Sequence, residues 1–138
     1  MPAEKNHILV VDDEECIRKL INKILTAAGF SVLEAENGKH AVEVYRCNMD
    51  KIVLVTLDIR MPGISGIDTY RQLASLNPKI RVILCSGYLK DYMPEGANAI
   101  SIQKPFSVDG FQQKIKEVLS IPEDEIARRN APFLYIRI

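Results

Sequence analysis

Five short apolar runs, none longer than seven residues, are spaced along the chain: HILVV (7–11), FSVLEA (30–35), IVLVTL (52–57), IRVILCS (80–86) and AISI (99–102). This spacing constrains the fold more than any other feature. Runs of this length, rich in β-branched residues, read as strands. The first and third have no polar alternation, as expected of strands covered on both faces. Between the runs the apolar period changes to three and four. Cys16, Ile17, Leu20, Ile21, Ile24, Leu25 and Ala28 line one face of a helix that Gly29 caps. Ala41, Val42, Val44 and Tyr45 form a shorter amphipathic helix after the Asn37-Gly38 turn. Ile67, Tyr70, Leu73, Ala74 and Leu76 form a third, stopped near Asn77-Pro78, and Val108, Phe111, Ile115, Val118 and Leu119 form a last one before Pro122. Strands alternating with helices imply an α/β fold with a parallel sheet, and right-handed crossovers reduce the strand orders to a few. One common order is 2-1-3-4-5, whose ligand crevice lies beyond the carboxyl ends of the strands.

At 138 residues the chain is the size of one domain with a modest tail. A formal net charge of zero gives no global pull toward nucleic acid or anionic lipid, and no apolar run approaches membrane-spanning length. The three cysteines, Cys16, Cys47 and Cys85, are widely spaced without metal-ligand spacing. They read as small buried apolar residues of a reducing compartment. With no apparent signal peptide, the expected location is cytoplasmic.

The residues at the strand ends carry the chemistry. Strand one runs into Asp12-Asp13, strand three ends at Asp58, strand four ends at Ser86, and Lys104-Pro105 follows strand five. In the 2-1-3-4-5 order all of them face one crevice. Taken singly each has a plain reading: an acidic pair as helix N-cap, with Asp13 the candidate cap; a solvated aspartate; a serine bonded to nearby backbone; a Lys-Pro turn. Taken together they offer three carboxylates, a hydroxyl and an ammonium. Adjacent carboxylates repel and resist dehydration. A hard cation such as Mg2+, with its preference for oxygen ligands, would relieve that repulsion. Asp58 would then serve as nucleophile toward a phosphoryl group, with Lys104 and Ser86 binding the phosphoryl oxygens.

The stretches VVDDE (10–14), LDIRMPGISG (57–66), LCSG (84–87) and KPF (104–106) together resemble the receiver domain of bacterial two-component response regulators. The resemblance spans residues 7 to about 120. It implies a flavodoxin-like, doubly wound five-stranded parallel sheet. It implies Asp58 as the phosphoacceptor and a histidine kinase or phosphotransfer protein as donor. It further implies Mg2+ held by Asp12, Asp13, Asp58 and the backbone carbonyl of Arg60, phosphoryl contacts from Ser86 and Lys104, and a cis peptide before Pro105. On this reading the receiver occupies 5–121, and 122–138 is a tail or linker.

Two features depart from the pattern. The position three before the lysine, aromatic in many receivers, is Ser101. The segment from Ser86 to Lys104 is also about one helical turn short and contains Pro94 and Gly96, so a short, distorted or absent fourth helix is expected. Arg60 and Tyr88 sit two residues past Asp58 and Ser86. In receivers such positions tune the lifetime of the acyl phosphate; here the two side chains either shield it from water or lie in solvent. The tail is polar and then apolar. It suits docking on its own domain, docking on a second copy in a homodimer, or the start of an output segment. Arg128-Arg129 beside EDE reads as a solvated helix face, and no DNA-binding module has room. The expected function is a phosphorylation-controlled signalling module with no separate substrate turnover and an unspecified downstream partner. The alternatives are a receiver-like interaction module independent of phosphorylation and a small-molecule phosphotransferase. The latter lacks the D-x-D nucleophile motif.

Overall fold

A computed structural model of the chain describes residues 6–60, 63, 65–86, 99–104 and 106–134, with Ser86 described by its backbone alone. The strands are β1 (His7–Val11), β2 (Ser31–Ala35), β3 (Ile52–Asp58), β4 (Val82–Ser86) and β5 (Ile100–Gln103). They form one parallel sheet in the order β2-β1-β3-β4-β5. The helices are α1 (Glu15–Ala27), α2 (Gly38–Cys47), α3 (Gly66–Leu76), α4 (Val108–Leu119) and α5 (Glu123–Leu134). The doubly wound α/β expectation and its strand order hold, with strand starts differing by one or two residues.

Alternate residues of the central strands feed two cores, one on each face of the sheet. Ile8, Val10, Leu54 and Ile83 pack with Ile21, Ile24 and Leu25 of α1 and Phe111, Ile115 and Val118 of α4. Leu9, Val11, Val55, Leu57, Val82 and Leu84 pack with Ala41, Val42 and Tyr45 of α2 and Tyr70, Leu73 and Ala74 of α3. Both faces being covered explains why β1 and β3 read as unbroken apolar runs.

Local capping follows the sequence in most places. Gly29, with φ of 97°, terminates α1. The side chains of Asn37, Ser65 and Ser107 accept backbone N–H bonds at the starts of α2, α3 and α4. Asp13 does not cap α1. Glu14 is the N-cap residue and makes no side-chain cap bond, while the Glu14 N–H is taken by Asp12 Oδ1 at 2.9 Å. Cys16 and Cys47 are exposed free thiols and only Cys85 is buried, so two of the three cysteines are not the core residues expected. They lie on the solvent side of their helices.

The segment after Pro122 forms a helix that the apolar period does not announce. In α5, Ile126, Asn130 and Phe133 are buried. The Phe133 ring stacks on Tyr70 of α3, with centroids 4.0 Å apart and planes 7° off parallel. The Tyr70 hydroxyl donates to Asn130 Oδ1, and Asn130 Nδ2 donates to the carbonyls of Pro78 (2.8 Å) and Ile80 (3.0 Å). The buried amide is thereby satisfied on both sides. Of the tail's three alternatives, docking on its own domain is the one seen for 123–134. Arg128 is exposed and pairs with Asp124 one turn back, as a solvated face should, whereas Arg129 is only partly exposed and pairs with Glu125. The expected fourth-helix irregularity, with Pro94 and Gly96, falls outside the described residues, as do Tyr88 and Pro105 with its cis peptide. Among the described residues no helix is long and apolar enough to cross a membrane.

Candidate functional site

The register of three parallel strands brings the acidic residues together. β1 pairs with β3 through Val11 and Leu57, so Asp12 and Asp58 emerge side by side. β3 pairs with β4 through Asp58 and Cys85, which places Ser86 one residue farther out along the same rim. β5 pairs with β4 through Gln103 and Ser86, and Lys104 follows directly. One carboxylate oxygen from each of Asp12, Asp13 and Asp58 lies within 4.8 Å of the others. Asp12 and Asp58 are buried, at 1% and 7% exposure, whereas Asp13 faces solvent.

The two buried acids are held alike. In each, Oδ1 accepts the backbone N–H two residues on: Glu14 for Asp12, and Arg60 at 3.1 Å for Asp58. In each, Oδ2 faces the Lys104 ammonium, at 3.4 Å from Asp12 and 3.6 Å from Asp58. Lys104 thus pairs with the two buried carboxylates of the three. Burial pushes the Asp58 carboxyl up; Lys104 and the Arg60 N–H pull it down, Asp12 and Asp13 push it up, and the balance stands at about 6. Burial also works against the charge on Lys104, but Asp12 and Asp58 outweigh it and hold the ammonium above its ordinary value. Burial pushes the neighbouring Cys85 thiol up to about 12, which removes it as a nucleophile at neutral pH.

The donor set is all oxygen and carries excess negative charge. That fits a hard divalent cation and not a thiolate- or imidazole-preferring metal. Of the residues singled out in sequence, the structure brings together Asp12, Asp13, Asp58 and Lys104. Ser86 ends β4 at the same rim by its backbone, and Arg60 is an exposed residue whose N–H is tied to Asp58.

Residues 8–116 match the sequence profile of the response regulator receiver domain. The chain belongs to that family. This receiver is 36% identical over 121 residues to chemotaxis protein CheY of Bacillus subtilis (strain 168), an alignment covering 83% of this chain and 98% of CheY. It is 29% identical over 118 residues to sporulation initiation phosphotransferase F of the same organism, covering 83% and 94%. Among solved structures, response regulator protein TrrA from Thermotoga maritima, in complex with Mg(2+)-BeF, superposes with a TM-score of 0.73. That pair shares 33% identity and the match covers 82% of this receiver and 98% of TrrA.

Sequence reasoning missed Arg18. From α1, its Nη1 donates to the Asp12 carbonyl at 2.8 Å and its Nε to Glu34 Oε1 at 3.1 Å. Glu34 also receives Lys19 and Asn22. Burial pushes the Glu34 carboxyl up, but these three donors outweigh it and hold the group below its ordinary value. Helical period marks Arg18 only as a polar-face residue, and its partner comes from another strand. The pairing is legible once β2 is set beside β1 and Glu34 stands next to Val10.

Proposed function

We propose that this receiver accepts a phosphoryl group on Asp58 from the phosphohistidine of a histidine kinase or phosphotransfer protein. The observation that carries the reading is the shared geometry of Asp12 and Asp58 about Lys104, with Asp13 completing the acidic triad. An Asp58 carboxylate oxygen attacks phosphorus, a P–O bond forms, and the P–N bond to the donor imidazole breaks. With its carboxyl near 6, Asp58 is largely ionised at neutral pH and competent as a nucleophile. Lys104 already lies between the two buried acids and offsets charge on the incoming oxygens, and the Ser86 hydroxyl donates to them. Asp12, Asp13 and Asp58, with the Arg60 carbonyl, would hold Mg2+, which when bound neutralises phosphoryl charge and lowers the barrier to in-line transfer. Attack of water on phosphorus later returns Asp58 and inorganic phosphate. We take residues 5–121 as the receiver and α5 as an appendage braced on α3. The receiver is a signalling module, and we assign it no separate substrate to turn over.

Intact-mass spectrometry after incubation with Mg2+ and acetyl phosphate tests this. One added phosphoryl group is expected, absent in Asp58→Asn and absent without Mg2+. No adduct on folded, Mg2+-binding protein, together with no binding of beryllofluoride, overturns the assignment.

A further inference from the structure

We propose that Arg18 is a positioning residue for the divalent cation, acting by fixing the peptide between Asp12 and Asp13. The inference rests on the reading that the acidic triad binds Mg2+. The Asp12 carbonyl lies just past the last rung of the β1–β2 ladder, where the Asp12 N–H still bonds to the Ala35 carbonyl at 3.2 Å. Arg18 Nη1 takes over at that point, at 2.8 Å. The carbonyl belongs to the peptide that carries the Asp13 nitrogen, so holding it fixes the plane from which Asp13 departs. The Asp12 side chain is fixed independently by the Glu14 N–H and Lys104. The aim of Asp13, the exposed member of the triad, therefore depends on the Asp12–Asp13 peptide.

Arg18 is suited to this because it is itself immobilised. Its side chain is 13% exposed, and its Nε is anchored on Glu34, whose second oxygen is held by Lys19 at 3.0 Å and Asn22 at 2.8 Å. The planar guanidinium spans two acceptors at fixed angles, which a single ammonium cannot do. Removing a partner that orients a metal ligand commonly weakens metal affinity by about 10–100-fold.

The sign of the effect separates positioning from simple charge. Arg18 is a cation beside a cation site, so by Coulomb interaction alone its removal should tighten Mg2+ binding. Loss of positioning should weaken it. The test is calorimetric Mg2+ titration of the full chain for the wild type, Arg18→Met, Glu34→Gln and Asn22→Ala. The expected result is about tenfold weaker binding in Arg18→Met, a smaller loss in Glu34→Gln, and a loss no larger than that of Glu34→Gln in Asn22→Ala, which keeps both Arg18 bonds and frees one of the bonds that hold Glu34. The Arg18→Met effect should also largely vanish in an Asp13→Asn background, as a double-mutant cycle requires if Arg18 works through Asp13. Equal or tighter binding by Arg18→Met overturns the inference while leaving the triad reading intact, and an undiminished effect in Asp13→Asn also overturns it. A wild type that binds no Mg2+ overturns the triad reading and this inference with it. Should Arg18→Met fail to fold, Arg18→Lys decides, because it keeps the charge and loses the planar fork: unchanged affinity there refutes positioning.

Discussion

Replacing Asp58 by asparagine should stabilise the metal-free protein at neutral and alkaline pH. In the folded state the Asp58 carboxyl stands at about 6, against 3.8 for the free group, with burial as the first cause. The folded state therefore binds this proton more tightly than the unfolded state. Below about pH 3 the group is protonated in both states and costs nothing. As pH rises from about 3 the unfolded chain ionises first, so folding stability falls, and once pH is about a unit above 6 the full penalty is present. A shift of about two units corresponds to about 3 kcal/mol at 1.36 kcal/mol per unit. Asp58 lies at the rim of the sheet, and solvent screening there reduces this to about 1–2 kcal/mol. Asparagine fills the same space without ionising, so the variant escapes the penalty. Urea unfolding followed by circular dichroism, in a chelator, measures both proteins at pH 3 and pH 8. Other carboxylates titrate in both and cancel in the difference. The expected gap is about 1–2 kcal/mol in favour of Asp58→Asn at pH 8 and near zero at pH 3. Wild type equal to or more stable than the variant at pH 8, or a gap independent of pH, refutes the argument. Saturating Mg2+ should stabilise the wild type more than the variant and narrow the gap.

Phe133→Ala should cost about 3–5 kcal/mol, since the ring is fully buried and stacked on Tyr70; a loss below about 1 kcal/mol in chemical denaturation would mean that α5 contributes little to the fold. Gly66→Ala should destabilise by about 1–3 kcal/mol and slow acetyl-phosphate labelling. An added Cβ would lie 2.4 Å from Ile59 Cα and 2.7 Å from the Asp58 carbonyl, so the start of α3 must move away from the site; unchanged melting and labelling would contradict this. Lys104→Met removes the charge that lowers the Asp58 carboxyl, so an NMR titration of the metal-free variant should place Asp58 above its wild-type value, and a lower value would reverse the assigned sign.

The sheet and the rim were legible in sequence because each strand has one dominant signal, an apolar run that ends where the chain reaches water. Asp12, Asp58 and Lys104 could be placed at one rim without coordinates, since parallel order alone aligns the strand ends. The features that were missed depend on partners distant in sequence. In α5 the buried face is Ile126, Asn130 and Phe133, and a polar amide occupies its middle position. Asn130 is buried because Tyr70 and the carbonyls at 78 and 80 satisfy it, which no local period can show. Pro132, inside the helix, further disguises the pattern. Cys16 and Cys47 show the converse: a residue type usually buried lies on the solvent side because its neighbours at helical spacing fill the core first.

The acidic rim and the Asn130 anchor of α5 lie at opposite ends of β4. Asp58 and Ser86 lie where β3 and β4 leave the sheet, while Asn130 binds the carbonyls of Pro78 and Ile80, where the chain enters β4. Arg81, at that entrance, bonds to the carbonyls of Val118 and Ile121 and so ties the end of α4 to the same corner. The carboxyl end carries crowded like charges that the proposed binding of a cation and a phosphoryl group would use, and it loses stability by carrying them. The amino end carries the satisfied buried amide of Asn130 and no such cluster among the described residues. This division has a physical advantage. Groups that must bind and release ligands keep their electrostatic strain, while reinforcement accumulates where it does not quench that strain. A helix packed over the acidic rim would have relieved the carboxylates by burial or pairing and closed the site. α5 instead braces α3 and the α3–β4 connection.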